Sequence, residues 1–545
     1  MKKKCLTIGI IFLFIGITII PSNGQKIEKS SQPTSSGHWL YVGGSGPGNY
    51  SKIQDAIDNA SDGDTVYVFR GIYNESITID KSIAVLGEDK NNTIIDGQFK
   101  KTTIVQLDAN YINFSGFKIT HCSHNATSCA MSISTNSCSN IVTENIVTDN
   151  QGNHGSIVIM GDYNQIKNNI IRNQSDIGSF NWGIAISNTA SDNIISENYI
   201  TANPIGIWDI SQYNNIITKN HICNNNRQGI WIASTEGNEY SYNIIENNGD
   251  AAIYVEEHAV NDIIQRNTMK NNGKGLVIAD AQSETITMNS FYGQGIQLTA
   301  NALQYWTSHT ISYNTINDKP IYFFKSEENL IVPPDAGQII LVNCTKCLLQ
   351  NENIENVDYG ILLGYSSNNT ITNNQFFNIT GTAITLKESP ENEILNNYIF
   401  NCYNGVMVGA LSDSIILHEN VIKNNIGCGI YLRGSSNYIN RNSLENNNVS
   451  VCIDFSDFNN ITMNNFINNS EHQITYLIDY LHPKSNRLRQ NYYDAHYLII
   501  KIIYGRIRTR FTWEPIPGDI EYIYRIGFII DWHPALKPYT VTGGR

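Results

Sequence analysis

The chain has 545 residues, with 36 basic and 49 acidic groups and a formal net charge of −13. That balance excludes the basic stripe of a nucleic-acid footprint and suits a soluble surface, divalent cations or neutral sugars. Residues 486–545 carry nine basic and five acidic groups, so the body before them is more acidic still.

In chain order, residues 1–24 have the layout of a secretory signal: Lys2, Lys3 and Lys4, an apolar stretch over 8–20, and small residues at Ser22-Asn23-Gly24. The apolar stretch is short for a membrane span; retention as an anchor is the alternative to cleavage. Residues 25–37 read as a linker. Sequons at Asn74, Asn113, Asn125, Asn343, Asn378 and Asn460 fit a glycosylated, secreted or cell-surface protein. Ten cysteines, one of them in the signal, leave an odd count. Cys122, Cys129 and Cys138 are close enough to contain a disulfide. Cys344 and Cys347 lack the partners of a zinc site. Cys223, Cys402, Cys428 and Cys452 read as buried thiols.

Residues 38–100 read as an N-terminal cap with the first rungs. An amphipathic helix is predicted over 50–60, N-capped by Ser51, and strands over 65–68 and 76–79. A helix here would close the open end of a stack.

Over 101–485 a motif returns about every 23 residues: apolar, two spacers, Asn, one spacer, apolar. Examples are Ile195…Asn198…Ile200, Ile217…Asn220…Ile222 and Ile264…Asn267…Met269. The short Ile/Val-rich runs broken by Asn and Gly are strand and turn signals. The architecture expected is all-β: a right-handed parallel β-helix of roughly 17 rungs, about 80 Å long at the spacing of strands in a sheet. The recurrent Asn is expected to take the left-handed bend and to hydrogen-bond along the axis. The ladder named from sequence is Asn145, Asn169, Asn198, Asn220, Asn243, Asn267, Asn289, Asn314, Asn374, Asn397, Asn420, Asn442 and Asn465.

The cap segment Ile53-Gln54-x-Ala56-Ile57-x-x-Ala60-x-x-Gly63-Asp64-Thr65-Val66-Tyr67-Val68, with Gly71-Ile72-Tyr73-Asn74-Glu75, resembles the opening of pectin-lyase-like β-helix proteins. The Asn rungs resemble the NosD-type, carbohydrate-binding and sugar-hydrolase group, and residues 319–344 are similar to an insertion found there. The resemblance covers about 38–485 and implies an exported prokaryotic, particularly archaeal, surface protein. It speaks to scaffold rather than activity. Residues 486–545 leave the repeat, and strands over 498–503 and 520–530 are expected to form a C-terminal β cap. Asp531 and His533 suggest a packed terminus rather than a site.

Signatures of the polygalacturonase and pectin-methylesterase kinds are missing, which favours a non-enzymatic role. Aligning rungs on Gly-Ile places Trp208, Trp231 and Tyr254 outward on consecutive rungs, a flat strip on which a sugar ring could pack. Glu257 and Asp280 fall at equivalent positions one rung apart, flanked by Glu256 and His258. At about 5 Å the pair fits a retaining glycosidase or an oxygen-built Ca²⁺ site. Asp209 falls in an inward slot, where an unpaired carboxylate is costly. The function expected is a cell-surface rod for carbohydrate binding or adhesion, with a polysaccharide or glycan and cell-envelope components as partners and no nucleic acid. The alternatives are a polysaccharide lyase or glycoside hydrolase using Glu257 and Asp280, and a periplasmic metal-handling role like that of NosD.

Overall fold

A computed structural model describes residues 37–125, 127–175, 181–470, 472–479, 486–494, 501–510, 522–531, 534–535 and 537–541. The signal stretch and most of the linker lie outside them, as does His533. The chain coils through about 19 turns of a right-handed parallel β-helix, each with three short strands and so three long sheets. In the first part, sheet I holds 12 strands, from Trp39–Val42 to Thr310–Ser312, and sheet III holds 10, from Ile77–Ile79 to Ile296–Leu298. Sheet II lies between them in each turn.

The motif explains the core. Its first apolar residue points inward from sheet I, as in Ile195–Ile217–Tyr240–Ile264–Ile286. Its second points inward from sheet II, as in Ile200–Ile222–Ile245–Met269–Phe291. Sheet III contributes Ile207–Ile230–Ile253–Leu276–Ile296. These side chains are buried, and no single turn could bury its own.

The Asn ladder is present, but its chemistry differs from expectation. The left-handed residue is the one before each Asn: Glu197, Lys219, Tyr242, Arg266 and Met288 have φ of 54–57°. The Asn keeps ordinary backbone geometry because its side chain must point along the axis. Asn220 N–H and Nδ2 both donate to Asn243 Oδ1, at 2.9 and 3.1 Å, and Asn220 Nδ2 also donates to Ile195 O at 2.8 Å. Asn464, not Asn465, continues the column. It accepts from Asn442, whereas Asn465 pairs with the backbone of Tyr539. Two further columns line the other corners. One runs Asn203–Asn225–Asn248–Asn272. The other runs Asn140–Asn164 and Asn193–Asn215–Asn238, and then changes to Asp262, Glu284 and His309.

Helix α1 (Ile53–Asn59) buries Ile53, Ala56 and Ile57 over the end of the stack. Ser51 is not its cap. Glu75 reaches back from the next turn to accept from Ile53 N–H and Gln54 N–H at 2.9 and 3.0 Å, with both carboxylate oxygens on the helix N-terminus. Lys81 Nζ donates to Ile57 O, Asp58 O and Ala60 O at the other end.

The first stack ends where Thr315–Ile316 runs antiparallel to Lys319–Lys325, which starts a second parallel stack. Its edge at Ile296 is closed by a side chain: Gln338 Oε1 accepts from Ile296 N–H, and Nε2 donates to Ile296 O, both at 3.0 Å. The buried Asp358 accepts from Gly295 N–H at 2.8 Å. Helix α2 (Leu303–Thr307) buries Trp306 beside this junction. Lys501–Arg510 and Tyr522–Asp531 form an antiparallel hairpin at the far end.

Cys122, Cys129 and Cys138 are free; the disulfide joins Cys428 and Cys452 instead, two positions read as buried thiols. Adjacent turns bring these two together across 24 residues of sequence, a proximity that only the rung register reveals.

Candidate functional site

The outer face of sheet III carries the register Ala185–Trp208–Trp231–Tyr254–Val277. Because Ile207, Ile230 and Ile253 point inward, the three aromatic residues point out, and all three are half-buried. They do not form a flat strip. Trp208 lies face to face on Trp182, with ring centroids 4.3 Å apart and planes 10° from parallel. Trp231 and Tyr254 meet edge to face, 6.5 Å apart at 82°. Trp182 escaped the sequence alignment because it begins its strand instead of occupying the outward column; the Trp-Gly-Ile string at 182–184 was the signal. With Cys129, Val158, Ala185 and Ile205 it forms an apolar cluster separate from the main core, against which Trp208 and Trp231 pack.

Polar groups rim the aromatic residues on both sides. Trp231 Nε1 donates to Glu256 Oε2 at 2.7 Å, fixing the indole. Across the sheet, Asp250 accepts from Gln228 Nε2 and from Lys274 Nζ, both at 2.9 Å. Partial burial, with Glu256 nearby, pushes the Tyr254 phenol up from its usual range, and Lys274 opposes it.

Glu257 and His258 sit exposed on the turn that follows, His258 with a φ of 67°. Asp280, on the next turn, is half-buried and accepts the Asn301 backbone N–H at 3.1 Å, so one carboxylate oxygen is engaged in holding the chain. Among the described residues, no group of three or more His, Cys, Asp or Glu is placed to hold a metal ion. The aromatic face therefore offers apolar ring surface, a fixed indole and a carboxylate rim.

A second group is buried. Asp209 accepts from Tyr240 Oη at 2.7 Å, from Ser211 N–H at 2.9 Å and from Ser211 Oγ. Burial still pushes its pKa up to about 6. In the neighbouring column burial raises Asp262 to about 7 and Glu284 to about 9, and lowers His309 to about 4. Each of these three occupies an Asn position two residues before an inward apolar residue, which is how the sequence could have disclosed them.

No curated protein matches the chain. Solved structures with similar coils include the pectate lyase Pel9A, at 14% identity over 51% of this chain and 80% of that one, TM-score 0.41. The DFA-IIIase of Arthrobacter chlorophenolicus A6 without its lid is 12% identical over 64% and 95%, TM-score 0.38. The catalytic domain of a GH87 alpha-1,3-glucanase is 12% identical over 71% and 65%, TM-score 0.32. Residues 180–333 and 327–497 match the NosD family, described as periplasmic copper-binding protein, and the chain belongs to that family.

Proposed function

We propose that this protein is an extracytoplasmic β-helix at the cell surface that binds an extended carbohydrate along the outer face of sheet III. Trp208, Trp231 and Tyr254 supply the apolar contact, and Glu256 and His258 supply the rim. The observation that carries this is the Trp231–Glu256 bond of 2.7 Å. It orders a half-buried indole on a solvent-facing sheet and leaves the other carboxylate oxygen of Glu256 for a sugar hydroxyl. The separation of duties also favours it, since the ladder and core use inward positions and leave outward ones free for binding.

Binding to a glycan array, followed by calorimetry on the best ligand, tests it. Trp231→Ala should weaken affinity by about 1–2 kcal/mol, the worth of an aromatic contact. Unchanged affinity with a lowered melting temperature would make the aromatic residues structural. Release of reducing ends or unsaturated products, abolished by Glu257→Gln, would instead make the protein a hydrolase or lyase.

The family's description favours copper as a second ligand. His121 with Asp96 at 2.9 Å and His221 with Glu246 at 3.0 Å are the tightest of the His–carboxylate pairs among the described residues from which such a role could start. Copper titration without stoichiometric uptake would dispose of it.

A further inference from the structure

We propose that Trp39, Tyr41, Tyr67 and Phe69, on the outer face of sheet I at its N-terminal end, seat this end of the β-helix in the interfacial layer of a lipid bilayer. Trp39 and Tyr41 alternate on the edge strand, Tyr67 pairs with Tyr41 in register, and Phe69 follows it. The rings touch: Trp39–Tyr41 centroids are 6.3 Å apart, Tyr41–Phe69 6.1 Å and Tyr67–Phe69 5.2 Å. Yet Trp39 is 53% and Tyr41 41% exposed, and Trp39 is the only exposed tryptophan among the described residues. Ile72 and Phe99, in the same first turns, are exposed as well. Cross-strand pairing accounts for the ring contacts but not for so much aromatic surface left in water at one end. Tryptophan and tyrosine, apolar in body and polar at the tip, partition into the headgroup layer.

Chain order identifies the occupant. The 36 residues before Gly37 include the apolar stretch over 8–20 behind three lysines, a sequence that meets the membrane during export. The 19 residues from Ile20 to Trp39 span at most roughly 65 Å, so a retained segment holds the cluster near the lipid surface. Residues 38–90, which build these first turns, carry eight acidic against four basic groups, which fits a zwitterionic surface better than an anionic one.

The exported form of the full chain is mixed with phosphatidylcholine vesicles, and Trp39 emission is isolated as the difference between wild type and Trp39→Phe. That emission should shift to the blue and be quenched by lipids brominated near the headgroup. Tyr313→Ser, at a site 80% exposed elsewhere on the coil, should leave the quenching unchanged. Emission unmoved by vesicles overturns the proposal. So does a shift produced by soluble neutral oligosaccharide and not by vesicles, which would make the cluster a sugar platform.

Discussion

Replacing Glu284 by Gln is expected to stabilise the protein at neutral and alkaline pH and to leave it unchanged in mild acid. Glu284 stands in a column whose earlier members are Asn. Its Oε2 accepts from Asp262 N–H at 3.0 Å, its own N–H donates to His309 Nδ1 at 3.2 Å, and Oε1 is buried without a protein hydrogen-bond partner. Burial, reinforced by the Asp262 carboxylate, moves its pKa from 4.5 to about 9. Between those values the folded chain holds a proton that the unfolded chain releases, so stability is full below pH 4.5 and falls as pH rises towards 9. At about 1.4 kcal/mol per pH unit the loss is about 3 kcal/mol by pH 7. A neutral amide keeps the acceptor for Asp262 and cannot ionise. Urea unfolding near pH 4, 7 and 8.5, followed by circular dichroism and by hydrogen exchange at Asp262 and Glu284, would measure this. Glu284→Gln should track wild type at the lowest pH and exceed it by about 3 kcal/mol at neutrality. If the two stabilities kept the same pH slope throughout, Glu284 would be ionised in the folded protein and the reasoning would fail.

Asn243→Ala should cost about 2–4 kcal/mol, because Asn220 N–H and Ile217 O lose their side-chain partner in a dry interior; unchanged protection of the Asn220 amide against exchange would contradict it. Tyr240→Phe removes the phenol that donates to Asp209 at 2.7 Å. It should destabilise by about 1–3 kcal/mol, more above pH 6 than below it, because Asp209 is ionised there; a pH-independent effect would show that the bond serves a neutral carboxyl. Gly229→Ala places a Cβ 2.5 Å from Ile245 Cγ2 and 2.7 Å from Ala252 O, so thermal unfolding should show a loss of about 1–3 kcal/mol, with the glycan affinity of Trp231 intact.

The period-two apolar pattern and the motif spacing made the fold legible, since a turn of fixed length can stack only on its equivalents. The Asn column was legible too, but its backbone geometry was not. Asn is favoured in the left-handed region in general, yet here the residue before it takes the strain and frees the amide for the axis. The misplaced Asn465 has the same origin: two adjacent asparagines satisfy one pattern, and only register distinguishes Asn464. Helix capping by Glu75 and the Cys428–Cys452 bridge join residues from different turns, which no local rule reaches. At the candidate site, alternation placed Trp208, Trp231 and Tyr254 outward and one strand apart. Ring orientation was illegible because it depends on Trp182 and Glu256, neighbours from other turns.

The columns also explain where charge enters an otherwise uncharged interior. Within a regular stack an Asn must both accept from the turn before it and donate to that turn's carbonyl, and no acid does both when ionised. Where the stack meets an irregular segment, accepting is enough. Glu352 takes Ala336 N–H at 3.1 Å beside the insertion, and burial lifts it to about 7. His309 Nδ1 ends its column beside α2. Asp531 accepts from Asn491 N–H and Nδ2, both at 3.2 Å, where the C-terminal hairpin meets the coil. Acids thus enter the columns where the Asn series gives out, at Asp262, Glu284 and Glu352, while the buried Asp209 stands outside the columns and is held by Tyr240 and Ser211. Raising the pH should ionise Asp209, in the strand that carries Trp208, at about pH 6, before Asp262 and Glu352 at about 7 and Glu284 at about 9. Tyr240 Oη and Ser211 N–H donate to the Asp209 carboxylate, whereas Glu284 Oε1 has no protein hydrogen-bond partner. Amide exchange should therefore show the larger loss of protection with rising pH around Glu284 and the smaller one in the strand that carries Trp208.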